Sequence, residues 1–202
     1  MSPFFIPDSI VVKNGVAQFP TVPSSIFHYA NKPDLIIFES NAQVGGKDGI
    51  TIIKTILDVV QQFNVKRIYT AAAFAQSMSY RSDSSVLVAS TQSELLQDMG
   101  KHGITPMPDG DIAGLNGLML GVANTRSIES ACFLGTIPSY ATNLAYPKAS
   151  MEIIKVICGL LNANVDMGEI EASVQQMDQQ LAAIEGRIKQ LFPSMGEREE
   201  EI

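Results

Sequence analysis

Residues 34–73 read DLIIFESNAQVGGKDGITIIKTILDVVQQFNVKRIYTAAA, and this stretch decides the fold class. Leu35-Ile36-Ile37-Phe38 is an unbroken apolar run, the pattern of a strand buried on both faces. From about Gly49 to Phe63 the period changes. Ile53, Ile56, Leu57, Val60 and Phe63 recur at three- and four-residue steps, which puts them on one face of a helix. Asp48 stands where it can cap that helix. Val65–Ala73 then reads as a second strand. Strand, helix and strand within about 40 residues form a crossover unit, so a parallel pairing of the two strands is expected.

Upstream, Ile10-Val11-Val12 and Val16–Phe19 flank Asn14-Gly15, a hairpin signal because Asn-Gly tolerates positive φ. Downstream, Val86–Ala89 reads as a short strand. Gln92–Lys101 reads as a helix stopped near Gly103, and 110–114 as a loop. Leu115–Asn124 reads as a helix, Ile128–Leu134 as a buried strand, and Pro138 as the break after it. Pro147 opens a helix to about Asn162, at the position where a helix tolerates proline. The chain is thus expected to be α/β, with a mainly parallel sheet flanked by helices, an N-terminal hairpin and a long C-terminal amphipathic helix.

That last helix is the most regular element. Ile170, Val174, Met177, Leu181, Ile184, Ile188 and Leu191 alternate four- and three-residue steps, an a/d heptad seam. Asp166 and Glu169 can form a capping box before it, and Pro193 ends it. At 1.5 Å per residue it would be roughly 37 Å long. The flanking e positions are Glu171, Asp178 and Glu185, and Arg187 is the only charge at g. Identical parallel copies would pair weakly. An acidic edge suits an antiparallel or basic partner. The seam can be an oligomer or partner interface, or it can pack on its own domain. The expected organisation is an α/β domain over 1–165, the heptad helix over 166–192 and an acidic, disordered tail over 193–202.

Composition removes several classes. The net charge is −7, and no basic stripe offers itself to nucleic acid. No run of about 18 apolar residues spans a membrane. No signal-peptide pattern opens the chain, so the cytoplasm is the expected location. Cys132 and Cys158 read as small buried hydrophobes. His28 and His102 belong to no cluster of metal ligands. Gly45-Gly46-Lys47-Asp48 fails as a phosphate loop, because Asp48 replaces the hydroxyl and Asn41 the first glycine. Gly110, Gly114, Gly117 and Gly121 recur at helical steps and suit close packing of a neighbouring backbone. No cofactor is expected.

Gly114-Leu115-Asn116-Gly117-Leu118-Met119-Leu120-Gly121 resembles the Gly-x-x-Gly-Leu-Leu-Leu-Gly segment of the proteasome assembly chaperone family, in its archaeal and bacterial branch. Ser130–Gly135 resembles that family's Ala-x-Cys-Leu-Met-Gly strand, Pro138-Ser139-Tyr140 its turn before the last long helix, and Leu161–Asp166 its Leu-Gly-x-x-Ile-Asp exit. Asp34–Ile37, Gln43 and Val65–Thr70 are similar to its earlier strands and glutamine. The resemblance covers about residues 4–190. It implies a phosphorylase-like α/β fold, with Gly114, Gly117, Gly121, Gly135, Pro138 and Tyr140 as structural motif residues. It also implies a non-catalytic chaperone that acts on proteasome α-subunits as a homo-oligomer.

The family pattern opens with a strand–helix unit, whereas this chain starts at the hairpin, so that unit is expected to be missing. The family's Leu-Gly-Gly-Tyr turn is here Ala71-Ala72-Ala73-Phe74, and its acidic residue after the cysteine strand is Thr136. A small-ligand site is therefore expected to be degraded. Some archaeal members end in a hydrophobic–tyrosine tail, and this chain ends Glu200-Glu201-Ile202. The competing reading is an enzyme of phosphorylase-like or ATP-dependent ligase type. Its polar groups would be Gln43, Gln76, Asp109 and Tyr140.

Overall fold

Asn14 and Gly15 both adopt positive φ, 52° and 79°, and turn β1 (Val11–Lys13) back on β2 (Val16–Gln18) as the Asn-Gly pair requires. The computed structural model describes residues 10–18, 24–41 and 45–191, with side chains as far as 187. Gln43, Pro193 and the acidic tail lie outside the described residues. The chain forms two compact units. One takes the chain up to Lys66 together with Asp111–Ser127. The other takes Arg67–Gly110 and the chain from Ile128 onward.

In the first unit, β3 (Ser25–Asn31) pairs antiparallel with β4 (Asp34–Ser40), and the two form a sheet by themselves. The expected parallel pairing of the crossover unit is not made. The apolar run Leu35–Phe38 is also only partly covered, since Ile37 is exposed. A hairpin partner seven residues long, reached through a two-residue turn, costs little loop entropy and takes β4 first. Helix α1 (Gly46–Gln62) follows, starting three residues earlier than its periodicity indicates. Asp48 therefore lies in its first turn and not at its cap, which is Gly45. Ile53, Ile56, Leu57 and Val60 are buried as expected, but Phe63 stands just past the last turn, 65% exposed.

In the second unit the sheet order is β5 (Arg67–Gln76), β8 (Glu129–Pro138), β6 (Val86–Ser90), β7 (Thr105–Pro106). β5 runs parallel to β8 and β6 parallel to β7, while β6 and β8 are antiparallel. Ala71–Phe74 do not turn. They continue β5 in register with Phe133–Thr136, and the strand ends at Gln76. α2 (Ser93–Lys101) and α4 (Pro147–Leu161) cover the sheet. Leu95, Met99 and Ile153 close over Val88, Ala131 and Phe133, and the Tyr69 ring lies 5.3 Å from that of Phe133. α3 (Gly114–Thr125) belongs to the first unit, where it packs on α1 and Arg126 reaches Asp58 at 2.6 Å. α5 (Gly168–Leu191) closes the described chain.

Two of the motif glycines are fixed by clearance. A Cβ on Gly117 would fall 2.0 Å from the Ile112 carbonyl oxygen, and one on Gly135 would fall 2.9 Å from the Ala149 Cβ of α4. Gly121 faces open space. Cys132 is buried, which pushes its thiol up, and Cys158 is half-buried; both are free.

Candidate interaction site

Lys148 occupies the first turn of α4, where a cation opposes the helix dipole. It is nevertheless buried, so other groups must hold it. Its Nζ donates to the Tyr80 carbonyl at 2.7 Å and lies 3.2 Å from Asp178 Oδ1 on α5. Tyr80 is the hub of this region. Its N–H donates to the Tyr140 hydroxyl at 3.0 Å, and its own hydroxyl donates to Glu185 Oε2 at 2.8 Å. Burial pushes the Tyr80 hydroxyl up, and the bond to Glu185 adds to this. The Arg81 guanidinium lies 4.8 Å above the Tyr80 ring. Its Nη1 donates to Glu185 Oε1 at 3.1 Å, and its Nη2 pairs with Oε2. One residue before Asp178, Met177 packs on a buried cluster of Ile137, Ala141, Tyr146 and Ala149.

Two of the three e-position acids are thus spent on the helix's own unit. The expectation that this edge faces a basic partner is corrected for Asp178 and Glu185; Glu171 stays exposed. Along the seam, Ile170, Val174, Met177 and Leu181 are half-buried, while Ile184 is exposed. The side chains of Ile188 and Leu191 lie outside the described residues. The helix start also differs from a capping box: Asp166 Oδ1 accepts the Gly168 N–H at 2.9 Å, and Glu169 lies inside the helix.

Tyr146 has a buried hydroxyl without a partner among the described residues. Burial, with Tyr140 and Asp178 close by, pushes it up to about 12. Pro138 ends β8 opposite Gln76 of β5, and the 3-10 turn Ser139–Ala141 carries the exposed Tyr140 ring beyond it. Gln76 and Tyr140 therefore share the carboxyl end of the parallel strands, where Gln76 Nε2 lies 3.6 Å from the Met78 sulfur. Asp109 lies exposed in the loop after β7. Sequence reasoning missed Tyr80, Arg81 and Lys148. Only Lys148 carried a signal, as a lysine placed against the helix dipole.

The amino end of β5 carries a concavity of about 180 Å³, lined by Arg67, Tyr69, Asp98, Lys101 and His102 among others. Its charges are already matched. Arg67 forks onto Glu129 at 2.7 and 2.9 Å, and Lys101 pairs with Asp98 at 2.7 Å, holding that carboxyl below its usual range. Among the described residues no three His, Cys, Asp or Glu side chains could hold a metal, and no helix is long and apolar enough to cross a membrane.

A mixed α/β sheet flanked by helices, with a terminal helix fastened along one edge, is the class these observations define. The chain belongs to the PAC2 family, whose model matches residues 1–185. It is 26% identical over 149 residues to an uncharacterized protein of Methanocaldococcus jannaschii, and the match covers 73% of this chain and 56% of that one. The chain therefore spans little more than half the length of that curated relative. Its fold is similar to that of Pyrococcus furiosus PbaB, an archaeal proteasome activator (TM-score 0.73, 22% identity, 91% of this chain and 79% of that one). It is also similar to P. furiosus PbaA, an archaeal homologue of proteasome-assembly chaperone (0.69, 18%, 97% and 78%). A third likeness is to the Mycobacterium tuberculosis proteasome-assembly chaperone homologue Rv2125 (0.68, 15%, 87% and 74%).

Proposed function

We propose that this protein is a non-catalytic chaperone or adaptor that acts on proteasome α-subunits as a homo-oligomer. The observation that carries the reading is the state of α5. Its acidic edge is tied down at Asp178 and Glu185, while its apolar seam stays partly open, with Ile184, the last seam side chain described, exposed. A helix held rigid with an uncovered apolar stripe is suited to receive another protein. The seam residues Ile170, Val174, Met177, Leu181, Ile184, Ile188 and Leu191 form the binding rail. Gly135, Pro138 and Tyr140 shape the unit that carries it, and Gly114, Gly117 and Gly121 belong to α3 of the first unit. The proteasome end of the reading is supported by what PbaA, PbaB and Rv2125 are.

Native mass spectrometry of the chain, alone and mixed with proteasome α-subunits from the same source, tests it. A defined oligomer that captures α-subunits without nucleotide or metal is expected. Replacing Leu181 and Ile184 together with Glu should abolish capture. An oligomer that ignores α-subunits would overturn the client, and capture unaffected by the double replacement would overturn the rail.

A further inference from the structure

Outside α5, the β3–β4 hairpin leaves apolar side chains uncovered among the described residues. Its register puts Phe27, Tyr29, Ile36 and Phe38 on one face and Ile26 and Ile37 on the other. Ile26, Phe27, Tyr29 and Ile37 are all exposed. A two-stranded sheet is marginal in water, and one with apolar residues on both faces needs a further strand. Its two outer edges differ. β4 carries Asp34 and Glu39, charges that guard an edge. β3 reads Ser-Ile-Phe-His-Tyr-Ala-Asn and has no proline, lysine or carboxylate; among the described residues its one strand neighbour is β4.

The sequence of β3 also says what fits it. Copies of a chain with net charge −7 repel each other, and β3, which has no carboxylate, lysine or arginine, is a surface where they can meet without bringing like charges of that strand together. Its seven residues are centred on His28. A second β3 laid antiparallel about a two-fold axis there sets Phe27 opposite Tyr29 of the second copy and Ile26 opposite its Ala30. Aromatic meets aromatic and large meets small. The two His28 side chains meet at the axis, each with its Nε2 3.1 Å from Glu39 Oε2 of its own copy.

We infer that two copies of this chain join through β3, which makes one continuous four-stranded antiparallel sheet. The inference rests on the homo-oligomer part of the reading above and not on its client. It assigns self-association to the hairpin and leaves the α5 seam to the client.

Cysteine trapping tests it in a Cys158→Ser background. At an axis through residue 28 the two Cα atoms would lie about 4.5–5.5 Å apart, within disulfide reach. His28→Cys should give a covalent dimer on mild oxidation. Ser25→Cys, about 20 Å from its own copy at 3.4 Å per residue, should give none. The double variant Ser25→Cys/Asn31→Cys pairs in the same register and should crosslink even where His28→Cys does not fold. Tyr29→Lys should halve the native mass. An oligomer in which neither cysteine design crosslinks, or in which Ser25→Cys alone crosslinks equally well, overturns the β3 junction and leaves the homo-oligomer reading standing. A wild-type chain that is monomeric at micromolar concentration overturns both. Crosslinking with no capture of α-subunits upholds the junction and overturns the client alone.

Discussion

Leu35-Ile36-Ile37-Phe38 and Ala131-Cys132-Phe133-Leu134 are almost interchangeable as apolar runs, yet they end in opposite surroundings. β8 has β5 on one side, β6 on the other and α4 across its face, and Ser130–Pro138 are all buried. Among the described residues β4 has a single strand neighbour, and its side chains are half-covered or exposed. The difference lies in the number of neighbours and not in hydrophobicity. An apolar strand is a core strand only when other elements reach it, and a run of four residues carries no record of how many do.

The largest effect should come from the buried side of this comparison. Phe133→Ala should lower stability by about 3–5 kcal/mol in urea melts, since it empties the centre of the β8 core. Val12→Ala, on the exposed β1, should change it by no more than about 0.5 kcal/mol. Equal costs would break the contrast. Next, Gly135→Ala should cost about 1–3 kcal/mol, because its Cβ would meet Ala149 at 2.9 Å. Ala149→Gly in the same chain should recover part of that loss, and strict additivity of the two changes would show that α4 does not press on β8 there.

Lys148→Met should cost about 1–3 kcal/mol by leaving the Tyr80 carbonyl without its donor. It should also speed amide exchange along α5 more than along β8; exchange that rises equally in both would show that Lys148 is not the tie. The smallest effect should be Tyr146→Phe, which removes a buried, unpartnered hydroxyl and should raise stability by about 1 kcal/mol. Its pH dependence has a definite sign. Folding raises this hydroxyl from its ordinary value of 10.0 to about 12. The stabilisation from keeping it neutral is complete below about pH 10 and fades as pH climbs through 12. Stability curves of wild type and Tyr146→Phe should therefore diverge over that window and run parallel below it.

Most of the elements were legible, although β3 and β7 were not. The Asn-Gly turn, the helical period of α1, Pro147 at the start of α4 and the seam of α5 each carry a local cause, and the helices and strands formed near the positions they marked. Pairing was less legible, because the strand after a helix need not join the strand before it, and β4 took its hairpin neighbour. The site was hardly legible. Tyr80 and Arg81 lie over 100 residues from Glu185, and nothing local to either announces the other. An e-position acid looks the same whether it will meet a foreign lysine or its own chain's tyrosine. Phe63 shows the reverse error: it fits the α1 period but falls one residue past the turn that would bury it.

The two ties on α5, Asp178 and Glu185, stand seven residues apart, two turns along one edge. A helix pinned at both places has already given up its conformational freedom before any partner arrives. A partner that docked along the seam as proposed would meet a surface already held at these two places. Its heat-capacity change on binding should then scale with the seam area alone, without the larger contribution that folding on contact would add.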